Sequence, residues 1–244
     1  IFQTKVVRAE EPFFYAATLL QEEALISNEK DNYLPKFSPD GSQIAFVEDR
    51  RTIKVRNLES GDEVVLLDET QLFHMRDGDK YFTWSPDSKW LLVEFDQLLN
   101  NADVYLLDAS AKQEPKALVN SGYYDRMPKW VQNGKQMIWM SNRNGLKSYA
   151  TSGSTEYDVY SMFFTQEGWD EFNLSEEQYK LKKAIEEAQS EQETDEESSV
   201  EKEAKKILEK RNSKAKNVVK GAAQVIQQRK DKEVEELKFD WDNL

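Results

Sequence analysis

A single histidine, His74, is the only imidazole in this chain, and there is no cysteine at all. No second histidine accompanies it for a metal site, and no Gly-x-Ser-x-Gly elbow is present to raise a serine nucleophile toward it. Without cysteine there are no disulfides, no thiolate chemistry and no sulfur-based metal ligands in this chain. No glycine-rich phosphate loop occurs, so no cofactor is expected. Paired acids such as Asp40 and Asp87 follow a serine and a proline each time, a pattern that turn chemistry explains without a substrate. The residues best suited to touch a ligand lie in the stretch from Asn142 to Tyr157. There Arg143 and Lys147 offer charge for a peptide carboxylate, and Tyr149 and Tyr157 offer aromatic surface. We take these four as the candidate substrate contacts, with no catalytic, cofactor or metal residue expected.

The elements that must position them repeat. Tyr33-Leu-Pro-Lys-Phe37-Ser38-Pro39-Asp40-Gly41 returns 47 residues later as Tyr81-Phe-Thr-Trp84-Ser85-Pro86-Asp87-Ser88, and 46 further as Met127-Pro-Lys-Trp130-Val131-Gln132-Asn133-Gly134. In each copy an aromatic closes a strand, a turn follows and an apolar strand leaves it. Proline presets φ at the first turn position, while Asp, Asn and Gly tolerate the rest. A third strand follows at 53–58, 103–108 and 158–163, and a shorter fourth at 63–67 and 116–119. Four antiparallel strands at a period of 40 to 50 residues are the signature of a β-propeller blade. Ser38, Ser85 and Val131 should therefore occupy equivalent places beside their turns.

The expected fold is all-β, a partial β-propeller of four-stranded antiparallel blades with a charged α-helical insertion near the C-terminus. Residues 1–32 read as the tail of an earlier blade, built from the segments 2–7, 13–19 and 23–27. Blades follow at 33–80, 81–123 and 124–175, then the insertion at 176–235 and a return to the propeller at 236–244. Some three and a half blades would leave two open sheet edges, which invite pairing with other chains. The chain, which starts at Ile1, is thus expected to be part of a longer protein.

Charge is unevenly spread. The formal net charge is −13, which argues against a nucleic-acid partner. Residues 176–197 carry nine acids against three lysines, whereas 201–232 carry eleven Lys or Arg against four acids. Ser175 and Gln178 form a capping box ahead of a helix with Leu181, Ile185 and Ala188 on one face. A second helical pattern begins at Ser198 or Ser199 and runs through Val200, Ile207, Leu208, Val218 and Val225. No run of 18 apolar residues occurs, so no membrane span is expected.

The repeats resemble those of TolB-like and prolyl-peptidase-like propellers. A narrower resemblance lies in Ser141-Asn-Arg143-Asn-Gly145-Leu-Lys-Ser148, Gly153 and Tyr157-Asp-Val-Tyr160-Ser-Met-Phe-Phe-Thr-Gln166, which is similar to a blade of tricorn-like proteases. In that family the Phe-Phe-Thr-Gln strand leads into a charged insertion of variable length. The chain then returns through a segment like Leu237-Lys-Phe-Asp240-Trp-Asp-Asn-Leu244. The resemblance implies amino-terminal propellers followed by a helical region and serine-protease domains with a PDZ-like module between them. The catalytic motifs belong to those later domains, so no active-site residue carries over to this sequence. What it implies here is a non-catalytic fragment that gates or channels unfolded peptides or oligopeptides to a catalytic domain outside this chain. The partners would be those peptides, the other domains of the parent protease, and further copies in a homo-oligomer. The periplasm is the expected compartment, with the cytoplasm as the alternative. The alternative function is a TolB-like protein-interaction propeller with no enzymatic domain.

Overall fold

The computed structural model describes residues 1–8, 10, 13–71, 81–98, 101–148, 155–185 and 236–242. It divides into two units, Ile1–Phe164 with Glu236–Leu244, and Thr165–Glu235.

The first unit is a row of antiparallel sheets. β1 (Phe2–Val6) and β2 (Leu20–Ala24) form a two-stranded sheet. β3 (Asn32–Phe37), β4 (Gln43–Glu48), β5 (Thr52–Asn57) and β6 (Glu63–Leu67) form a four-stranded one in chain order. β7 (Phe82–Trp84), β8 (Trp90–Leu98), β9 (Asn101–Asp108) and β10 (Lys116–Val119) repeat it. β11 (Asp125–Val131), β12 (Gln136–Ser141) and β13 (Asp158–Phe163) make a three-stranded third member. Four-stranded meanders recurring at one period make the chain a partial β-propeller.

The middle strands do not alternate apolar and polar residues, because both of their faces are covered. In β8, Leu91, Val93 and Phe95 join a core with Ala45, Val47, Ile53 and Leu67 of the first four-stranded sheet. Leu92 points the other way, with Val104 and Leu106 of β9, against Met137 and Trp139 of the third sheet. Successive side chains of a strand leave on opposite faces, so a strand sandwiched between two sheets needs an unbroken apolar run. Full burial of each such Leu, Val or Phe contributes about 1.5–3 kcal/mol.

The turns close as their residue types require. Ser38 Oγ donates to Asp40 Oδ1 at 2.5 Å and accepts the Gln43 amide at 3.0 Å. Ser85 Oγ does the same with Asp87 Oδ1 at 2.5 Å and the Trp90 amide at 2.9 Å. Val131 cannot make these bonds. Its turn takes another form, in which Gln132, Asn133 and Gly134 all adopt positive φ (49°, 55° and 90°). A Cβ added at Gly134 would collide with the Leu237 side chain, so the tight turn also makes room for a neighbour.

Two details depart from the sequence reading. Residues 13–19 are not a strand, and a short 3-10 helix at Phe14–Ala16 occupies that stretch. The apolar and aromatic composition of Phe13 to Leu19 mimics a strand, but only its end meets β1, where Leu19 accepts the Val7 amide at 3.2 Å. Residues 236–242 return to the first unit without joining a ladder. There Leu237 donates its amide to Asp87 Oδ2 at 3.0 Å, and Asp240 donates its amide to the Phe164 carbonyl at 2.9 Å. Phe239 packs edge-on against Trp90 and Phe164, with centroids 5.0 and 5.2 Å away.

In the second unit, helix α1 (Gln166–Phe172) starts at Thr165, whose Oγ1 accepts the Gly168 amide at 3.1 Å. A second helix, α2, covers 176–185. The expected capping box is formed, with Ser175 N bonded to Gln178 Oε1 at 2.9 Å and Gln178 N to Ser175 Oγ at 3.3 Å. Leu181 and Ile185 on this helix are 63% and 49% exposed. The expected helical pattern from Ser198 onward lies outside the described residues.

Candidate functional site

One end of the second and third sheets gathers most of the buried charge. The strand ends that meet there are the C-terminal ends of β8 and β12 and the N-terminal ends of β9, β11 and β13. Asp125, the first residue of β11, is fully buried. Its Oδ1 accepts Trp139 Nε1 at 2.8 Å and Arg143 Nη2 at 3.1 Å, and its Oδ2 accepts the Ser121 hydroxyl. Arg143 is fixed further by its Nε bond to Ser141 Oγ at 3.1 Å and by lying 4.5 Å over the Tyr160 ring. A buried carboxylate needs such partners, because removing a bare charge from water is costly.

Glu94, midway along β8, reaches across to the third sheet and accepts the Met127 amide at 2.6 Å. That amide is free of its ladder because β11 carries a bulge between Arg126 and Lys129, with Met127 at φ 52° ahead of Pro128. The first four-stranded sheet repeats the device, with a register shift between Tyr33 and Lys36 and Leu34 at φ 50° ahead of Pro35. Burial pushes the Glu94 carboxyl above its ordinary value, against the pull of the Met127 amide and Arg126. Burial also raises the Asp103 carboxyl, reinforced by the nearby Asp125 and Asp96. Arg126 lies 3.6 Å from Glu94 and hydrogen-bonds Tyr157. Burial works against its charge, but Glu94 and Tyr157 outweigh that and hold the guanidinium above its usual range.

The candidate contacts fall in this same region and divide by role. Arg143 is committed to Asp125, so its charge is already used in holding β11 to the bend that follows β12. Lys147 is exposed, and its ammonium lies 4.2 Å over the ring of Tyr123. It makes no ion pair with a carboxylate among the described residues. Its backbone is held by a bridge to Thr155, by the Glu156 amide bonded to the Leu146 carbonyl at 3.0 Å, and by the Leu146 amide bonded to Glu156 Oε2 at 3.1 Å. Gly145 permits that approach, since a Cβ there would sit 2.5 Å from the Glu156 carbonyl oxygen. Tyr157 is half-buried beside Arg126. Tyr149 and His74 lie outside the described residues.

Sequence reasoning missed Arg126, Tyr123 and Glu94. Arg126 and Tyr123 sit just before the aligned Met-Pro-Lys-Trp motif, where the repeat supplies no equivalent to draw attention to them. Glu94 sits in an apolar strand at the position that holds Val47 in the copy before it. A charged residue interrupting a buried run was the available signal.

No protein-family model matches the chain, and no curated protein matches it. Several solved structures are similar to part of it. TolB from Acinetobacter baumannii is 23% identical over 62% of this chain and 34% of its own, with a TM-score of 0.44. A putative TolB from Agrobacterium tumefaciens is 16% identical over 58% of this chain and 48% of its own, at 0.42. The tricorn protease is 14% identical over 62% of this chain and 15% of its own, at 0.43. The chain thus spans less than half the length of each. At such identities and scores the likeness decides nothing about chemistry. Among the described residues, no helix is long and apolar enough to cross a membrane.

Proposed function

We propose that this chain is a non-catalytic binding propeller that receives extended, unfolded peptides on the rim formed by Tyr123, Arg126, Lys147 and Tyr157. In this reading it gates or channels them, in the periplasm, toward a catalytic domain of a tricorn-like protease outside the chain. The observation that carries the proposal is Lys147, an exposed ammonium over a tyrosine ring on a backbone bridged to Thr155, with no carboxylate of the described residues to neutralise it. A fixed cation beside aromatic surface suits a chain that offers carboxylates and flat apolar side chains in no set order. A conduit must also release what it binds, and one cation–π platform supplies modest affinity only.

Titrating unfolded peptides into the chain while following its amide resonances tests this. Weak binding should perturb Tyr123, Arg126, Lys147 and Tyr157, and Lys147→Ala should weaken it about 2- to 5-fold, the range of an exposed charged contact. Shifts confined to other surfaces, or none at millimolar peptide, would remove the rim from the proposal. A TolB-like interaction propeller would instead favour a folded partner over the same sequence unfolded, so the pair of titrations separates the two roles. In neither case should the chain alone cleave fluorogenic peptides.

A further inference from the structure

Two of the larger sheets are finished by an outer strand and the third is not. β6 lies antiparallel on β5, and β10 antiparallel on β9, whereas among the described residues no strand lies on the outer side of β13. The three places correspond residue by residue. The residue that follows each of β5, β9 and β13, namely Leu58, Ala109 or Phe164, donates its amide to the carbonyl just ahead of the neighbouring strand, on Ser42, Lys89 or Lys135, at 2.9, 2.9 and 3.1 Å. Backbone groups alternate sides along an antiparallel strand, so Tyr160 and Met162 turn theirs toward β12, and Val159 and Ser161 turn their N–H and C=O outward. Counting back from the same amide, Val159 corresponds to Ile53 and Val104, and Ser161 to Val55 and Leu106. Ile53 stands opposite Leu67 and Val104 opposite Val119, while Val55 stands opposite Val64 and Leu106 opposite Lys116, with a register shift between the two pairs in both sheets. Ile53 and Val104 are fully buried, but Val159 is 70% exposed.

We propose that the outer edge of β13 takes up an extended segment of a partner polypeptide as an added fourth strand, antiparallel to β13 and with an aliphatic residue opposite Val159. The two complete sheets show what fits there. Leu67 and Val119, both buried, hold the corresponding place, and Val64 and Lys116 show that the place opposite Ser161 accepts an apolar or a charged residue alike. Main-chain bonds to Val159 and Ser161 carry such an addition, and a single aliphatic anchor gives it little sequence preference. The edge also lacks the usual guards. Neither lysine nor proline occurs in Asp158–Phe163, and those are the residues that blunt an exposed strand. This seat is distinct from the peptide rim, which acts through side chains, because it acts through backbone.

The probe is a peptide blocked at both ends that copies residues 115–121, the segment that supplies β10, titrated into the whole chain while its amide resonances are followed. The amides of Val159 and Ser161 should shift, and cross-strand contacts should put the valine of the probe opposite Val159. A second probe with proline in place of that valine lacks the N–H that faces β13 and should not bind. Ser161→Pro removes only an outward donor from the chain, a place where an edge strand tolerates proline. Its melting should match the parent while binding falls about 2- to 10-fold, the worth of one backbone hydrogen bond. If that variant fails to fold, Val159→Glu, at an exposed site, reads the same proposal by setting a charge on the edge, and it too should weaken binding. Lys147→Ala should leave binding of this blocked probe unchanged, so failure of the edge and failure of the rim are told apart. Equal binding of the proline probe, shifts confined to other surfaces, or full affinity in either folded edge variant would each overturn the assignment. So would a dimer of the chain that Ser161→Pro or Val159→Glu dissolves, since the added strand would then come from a second copy.

Discussion

Replacing Asp125 separates a charge-holding role from a space-filling one. In Asp125→Ala, Arg143, Trp139 and Ser121 lose their shared acceptor at once. Breaking a buried ion pair by removing one partner costs about 3–5 kcal/mol. The Arg143 side chain is 28% exposed and gains some compensating water, which places the expected loss near the lower bound, about 3 kcal/mol. Asp125→Asn keeps an oxygen for Trp139 and Arg143, and its amide faces a hydroxyl that can turn to accept. Its loss is then the weakening of charge-assisted bonds, about 1–2 kcal/mol. Urea unfolding of the chain reads both values, and melting should shift by about 2–4 °C per kcal/mol for a protein of this size. Combining Asp125→Ala with Arg143→Leu should recover part of the loss, since the guanidinium is no longer stranded. If the Ala and Asn variants fall within about 0.5 kcal/mol of each other, the carboxylate is not the organising charge and the argument fails.

Trp84→Phe removes the indole bond to the Lys36 carbonyl at 2.9 Å and should cost about 1–3 kcal/mol. Trp130→Phe, whose bond to Thr83 O is 3.2 Å, should cost less, and a reversed order in urea melts would contradict the geometry. Burial raises the Glu94 carboxyl above its ordinary value, with Arg126, Asp96 and Tyr81 around it. The folded chain therefore binds more protons here than the unfolded one, and stability is lost as pH rises from 4.5 through the raised value. Glu94→Gln should flatten that fall, which denaturation of both proteins at pH 4 and pH 7 measures directly. Replacing residues 173–235 by a Gly-Ser linker should move the melting point by a few degrees only, because Phe164 and Asp240 already meet at 2.9 Å; aggregation of the shortened chain would refute this.

The repeat made the sheets legible because turn chemistry is local. Ser38-Pro39-Asp40 and Ser85-Pro86-Asp87 announce their hairpins from residue type alone, and the strands at 63–67 and 116–119 lie where the spacing puts them. What stayed hidden depends on contacts between sheets. Nothing in the pattern distinguishes the Trp84 indole as a donor to Lys36, or Glu94 as the acceptor of an amide released by a bulge. Arg143 looked like a contact for ligand because its distance to Asp125 is set by the fold. Phe13 to Leu19 misled in the opposite way, since apolar composition is necessary for a strand and not sufficient. Arg126 meets Glu94 and Tyr157 only after the strands that carry them are brought together.

The indole bonds run in one direction. Trp130 donates back to the second sheet and Trp84 back to the first, while Phe37, at the same place in that first sheet, has no N–H to give. The second and third of these sheets are therefore each tied to the one before by the same indole rivet, and the energetics approach those of a one-dimensional array in which each unit feels only its neighbours. The sheet of β7 to β10 has a neighbour on both sides, and the others described here have fewer such ties. Opening should then begin at the ends of the row and reach β8 and β9 last, giving their amides the slowest hydrogen exchange in the chain.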